Sequence, residues 1–174
     1  MIAKVSKSLL TKGVLAGAAL GFCLIGAGSQ AAEADASHTK LLLAFTNLYG
    51  VDGPYLNAMY PFNGVLGDEA GWKVGPSAGS LTSDGHLKIT VRGLIFSDGK
   101  PNDETEFRGL VSCITDDGTH ISVASAVSQG FPANAAGNSN IDAHLNLPNP
   151  CLDPIVMVLA GSEDKWFAIN GFED

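Results

Sequence analysis

After residue 72 the chain alternates apolar and polar side chains at period two, the pattern of strands with one face buried. Leu87, Ile89 and Val91 alternate with Lys88, Thr90 and Arg92. Asp84-Gly85, just ahead, is a hairpin turn signal that joins this strand to an earlier one over residues 77–81. Phe107, Val111 and Cys113 alternate in the next segment, and Asp116-Asp117-Gly118 turns the chain into Ile121, Val123, Ser125 and Val127. Ile141, Ala143, Leu145 and Leu147 then face one way, with Asp142, His144 and Asn146 facing the other. Residues 148–154 break the pairing with prolines and hold Cys151. Residues 155–160 are apolar on both faces, as expected of a central strand covered on both sides, and 166–169 form a last strand.

About seven short strands set apart by Gly, Pro and Asp turns predict an all-β fold, an antiparallel β-sandwich or small barrel. Ahead of Trp72 the pattern weakens. Residues 40–48 fit a strand or a short helix, because the apolar run is too brief for periodicity to decide. Residues 50–71 are rich in Gly, Pro and Asn and predict an ordered loop lying over the sheet. Residues 126–140 are small and polar, and predict a long loop.

The start of the chain reads differently. Lys4, Lys7 and Lys12 precede an uncharged apolar run over residues 13–28, and small residues follow up to Ala36. This is the layout of a secretory signal peptide, placed at residues 1–36, with residues 37–174 as a single exported β-domain. An uncleaved anchor is the competing reading, but the run falls short of the ~20 residues that span a bilayer. Phe22 argues against a lipid anchor on Cys23, since a lipobox needs a small residue there. The expectation is a secreted or periplasmic protein with no membrane span once the leader is removed.

Charge sharpens this picture. The full chain carries 10 Lys and Arg against 18 Asp and Glu, a net of −8. Removing residues 1–36 takes three lysines, Glu33 and Asp35, leaving 7 against 16 and a net of −9. The acidity belongs to the exported domain, and with no basic face nucleic acid is excluded as a partner. Processing also reduces three cysteines to Cys113 and Cys151. An even pair in an oxidising compartment reads as one disulfide, with two buried thiols as the alternative.

Gly79-x-Leu81-x-x-Asp84-Gly85-x-Leu87, running on to Val91-x-Gly93-Leu94, resembles the opening hairpin of the CHRD family of extracellular β-domains. The order of Phe107-Arg108-Gly109-x-Val111-Ser112-Cys113, Gly137-Asn138-x-Asn140-Ile141, Pro148-x-Pro150-Cys151-x-x-Pro154 and Trp166-Phe167-Ala168 resembles a set of small exported bacterial proteins without an assigned activity. That resemblance spans roughly residues 72–170 and implies a bacterial exported β-domain with a disulfide. It implies no catalytic or binding residue.

Chemistry-bearing motifs are missing from the sequence. There is no Gly-x-Ser-x-Gly, no Walker loop, no dinucleotide fingerprint and no His-Glu-x-x-His, and no cofactor is expected. His86, His120 and His144 lie on the polar register of separate strands, and would form a zinc or copper site, or serve a hydrolase, only where those strands adjoin. Residues 98–106 offer carboxylate and amide oxygens of the kind calcium takes, with Lys100 among them. Phe45, Tyr49, Tyr55, Tyr60, Phe62 and Trp72 crowd one segment. Exposed on one face, Tyr55, Tyr60 and Trp72 would stack on a sugar or other small ligand; turned inward, they close the core. The leading expectation is a non-catalytic binding or structural module of the bacterial envelope or exterior, its partner an envelope protein or glycan. Ligand binding through the aromatic face and metal or hydrolase chemistry through the histidines are the alternatives.

Overall fold

The computed structural model describes residues 39–171. The signal-peptide reading falls on residues 1–36 and lies outside them. The described strands, in chain order, are β1 (Leu41–Phe45), β2 (Tyr49–Gly50), β3 (Leu66–Gly67), β4 (Trp72–Lys73), β5 (Ala78–Thr82), β6 (His86–Val91) and β7 (Ile95–Phe96). They continue as β8 (Glu106–Asp116), β9 (Ile121–Val127), β10 (Phe131–Pro132), β11 (Ser139–His144), β12 (Leu152–Ala160) and β13 (Lys165–Ile169). A 3-10 segment, Gly53–Ala58, is the only helical piece among the described residues.

One sheet has the antiparallel order β1-β5-β6-β11. The other runs β10-β8-β12-β13-β2, with β9 also pairing β8 and the short β3 parallel to β13. β4 and β7 form a separate ribbon. The two large sheets face each other. Leu87, Ile89 and Val91 of β6 and Ile141 and Ala143 of β11 are buried, as are Phe107, Val111 and Cys113 of β8 and Val156 and Val158 of β12. Gly109 of β8 marks the close approach: a Cβ there would meet Leu87 Cδ2 at 2.7 Å and Ile141 Cγ2 at 3.2 Å. The hairpin at Asp84-Gly85 forms as the sequence predicts, with Gly85 at a φ of +85°, a conformation that disfavours a side chain.

The second sheet is covered over part of its other face as well. Residues 51–67 cross it, tied by Asn63 Nδ2 donating to Ser112 Oγ on β8 (3.0 Å) and by Tyr55 against Trp166 on β13 (5.8 Å between ring centroids). Met157 and Leu159 are fully buried, so β12 is covered on both sides as expected. Within residues 40–48, Leu41–Phe45 form the strand β1. A disulfide joins Cys113, in β8, to Cys151, just before β12.

The architecture is therefore all-β, built of antiparallel sheets with one disulfide, but it departs from the expectation in detail. Thirteen described strands replace about seven, and the sheets keep free edges instead of closing as a barrel. The surplus is mostly two-residue strands in Gly-, Pro- and Asn-rich stretches, too short to produce an alternation. β10 sits inside what reads as a long loop over residues 126–140, and β9 extends to Val127.

Candidate functional site

Trp72, Tyr55 and Tyr60 do not share a face. Trp72 is 3% exposed and stacks on Phe167, with centroids 4.0 Å apart and planes at 13°. Its indole Nε1–H donates to Asp68 Oδ2 at 2.8 Å. Burial pushes the Asp68 carboxyl above its usual range, and the Trp72 bond opposes that shift. Trp72 is a core residue, because its ring fills the space between the β4 ribbon and β13. Tyr55 is half-buried between Phe62 and Trp166, and Tyr60 is exposed. Tyr55 and Phe62 line an open groove of about 500 Å³ with Leu42, Leu43, Pro154 and Ile155.

Of the three histidines, strand pairing brings two together. β6 and β11 adjoin, so His86 and His144 are register partners and their rings stack 4.4 Å apart. His86 Nε2 lies 2.6 Å from Asp142 Oδ1, and Lys88 Nζ lies 3.5 Å from the other oxygen. The His86 hydrogen bond, with help from Lys88, holds the Asp142 carboxyl below the usual carboxylate range. His120 sits in the β8–β9 turn, where its backbone N–H donates to Asp117 Oδ1 and its ring pairs with Thr119 Oγ1. The three imidazoles do not assemble as a ligand set.

Among the described residues the one cluster with ligand-like spacing is Asp68, Glu69 and Glu163. A cation already sits beside it. Lys165 Nζ lies 2.5 Å from Glu69 Oε2 and 2.7 Å from Glu163 Oε2, and these carboxylates push the ammonium pKa up. The acidic loop is likewise committed to its own surroundings. Lys100 pairs with Asp98 at 2.7 Å, Asn102 Nδ2 donates to the carbonyls of Glu104 and Asn134, and Glu104 accepts from Ser162. These residues tie the loop to the segment after β10 and to the β12–β13 turn.

The feature that sequence reasoning missed is the outer face and edge of β9. Its alternation matches that of a half-buried strand, yet Ile121 is 77% exposed, Val123 47% and Val127 44%. Cross-strand register places these side chains with Asp116, Ile114 and Leu110 on the face that residues 51–67 cover farther along the sheet. The cover stops short of them. Exposed Leu152 pairs with Ile114 and extends the open patch onto β12. Residues 118–141 contain no Asp, Glu, Lys or Arg, in a chain with a net charge of −8. That charge gap, which also takes in β10 and the start of β11, is the signal in the sequence that bears on the open face.

Comparison of the chain with family models, curated proteins and solved structures finds no match.

Proposed function

We propose that this chain is an exported, non-catalytic module of the bacterial envelope or exterior that works by presenting a contact surface to another protein surface. The observation that carries this reading is the open face of β9, a strand without a charged residue. Apolar side chains left exposed as a contiguous strip mark an interaction surface more often than a solvent face. The resemblance to small exported bacterial β-domains and the single disulfide support the location.

Cross-linking in intact cells of a bacterial host tests it. The full chain, expressed with its own leader, is expected in the periplasm or medium, in cross-linked species that Val123→Lys abolishes. Recovery of the protein in the cytoplasm, or cross-links indifferent to Val123→Lys, overturns the reading.

The Tyr55–Phe62 groove supports a second reading, in which a sugar or other small ligand stacks on Tyr55. Saturable quenching of tyrosine and tryptophan fluorescence by an oligosaccharide, lost in Tyr55→Ala, is its expected signature.

A further inference from the structure

We infer that two copies of this chain associate through β9, which pairs with itself antiparallel across a two-fold axis and joins the two β8-containing sheets into one. The inference rests on the contact-module reading and names its partner.

Backbone chemistry comes first. The β8–β9 ladder is unbroken from Leu110↔Val127 to Asp116↔Ile121. Beyond its ends, Asp117 N–H donates to the His120 carbonyl, and Ser128 N–H to the Gly109 carbonyl. Hydrogen-bonded and non-bonded pairs alternate in an antiparallel ladder, so Ser122, Ala124 and Ala126 direct their backbone groups at β8. Ile121, Val123, Ser125 and Val127 therefore direct theirs at the outer edge, where no described strand pairs with them.

Three other described edges are guarded, as edge strands usually are. β1 has a register shift between Leu41 and Leu43 and follows Lys40. β10 carries Pro132, and β11 presents Asp142 and His144. β9 has no proline, no charge and no register shift against β8.

The choice of a second copy follows from symmetry and charge. An antiparallel strand pair is self-complementary, so one edge is sufficient for an isologous dimer. Two exported molecules of net charge −9 repel over most of their surfaces, and the uncharged stretch over residues 118–141 is where they meet without opposing like charges. Centring the axis on Ala124 sets Ile121 opposite the partner's Val127 and Val123 opposite the partner's Ser125. All of these outward-directed residues then pair with one another, and Ile121, Val123 and Val127 of both copies form a strip that is apolar except at Ser125. At the axis the two Ala124 residues form a close, non-bonded pair, which suits a small side chain.

Sedimentation of the oxidised protein recovered after export tests this. A dimer is expected at about 100 μM, with Val123→Lys weakening it at least about tenfold. Leu41→Lys, on the β1 edge, should leave it unchanged. Ala124→Cys should give an intermolecular disulfide between the two introduced thiols on mild oxidation, because close non-bonded pairs place two cysteines within bridging distance. Peptide mapping separates it from exchange with the Cys113–Cys151 bridge, whose Cys113 is the register partner of Ala124. A monomeric wild type at that concentration, a dimer unaffected by Val123→Lys, or no cross-link through Ala124→Cys overturns the inference. A monomer in solution alongside a Val123-dependent cross-link to a different protein in cells overturns self-pairing and leaves the contact-module reading standing. If Val123→Lys changes neither result, both fall.

Discussion

β9 and β11 carry the same alternation, and they end up in opposite situations. Ile141 and Ala143 of β11 turn toward β8 and are buried, while Asp142 and His144 face outward into a network with His86 and Lys88. Ile121, Val123 and Val127 of β9 turn away from the core toward a face that residues 51–67 cover only in part. Period two states that a strand has two chemically different faces. It does not state that anything covers the apolar one.

The difference makes its largest prediction at matched substitutions. Ile141→Asp buries a carboxylate without a partner and should cost roughly 3–5 kcal/mol, enough to prevent recovery of folded protein. Val123→Asp should leave folded protein in normal yield. Equal losses from the two would show that β9 is covered after all.

Cys151→Ser comes next. The bridge closes a loop with a sequence separation of 38, and in the chain-entropy model its loss costs roughly 4 kcal/mol. Thermal melts with and without reductant should reproduce that loss in the wild type and show none in the variant. A wild-type melting temperature indifferent to reductant would contradict it.

Asn63→Ala probes the boundary between the covered and open parts of the same sheet face. It removes the bond to Ser112 and puts alanine at a φ of +50°, and should cost about 1–2 kcal/mol. Amide exchange should speed up in residues 53–67 and not in β11; uniform acceleration would mean that the loop is not separately held. Val123→Lys, measured at a dilution where association is absent, should stay within about 0.5 kcal/mol of the wild type. Any larger loss would show that Val123 packs inside the monomer.

The smallest effect belongs to the outer side of β11. The Asp142 carboxyl is held below its unfolded value in the folded chain. Its contribution to stability is therefore present above the unfolded pKa, about 3.9, and is lost as the pH falls through the folded one. Asp142→Asn should flatten that acid limb by lowering the neutral-pH melting temperature slightly and leaving the low-pH value unchanged. A steeper limb in the variant would reverse the sign.

What the sequence disclosed follows from the range of each interaction. β6, β11 and β12 were legible, because alternation or continuous apolarity is written locally in Leu87, Ile89 and Val91, in Ile141 and Ala143, and in residues 155–160. The two-residue strands were not, since they exist only where distant segments meet, as Trp72–Lys73 meets Ile95–Phe96. Crowding of aromatics over residues 45–72 could not separate Trp72, which Asp68 and Phe167 hold in the core, from exposed Tyr60. The polar registers of His86 and His144 were readable, but their stacking depends on β6 and β11 adjoining. The open β9 face was half-written: the charge gap stood in the sequence, whereas the limit of the covering loop did not.

The Cys113–Cys151 bond encloses β9, β10 and β11, and with them the exposed β8–β9 turn at residues 117–120. A protease that clips this exposed turn divides the polypeptide without releasing either part. The nicked molecule would keep its intact mass apart from one added water and migrate as a single band without reductant. Reduction would resolve it into two fragments.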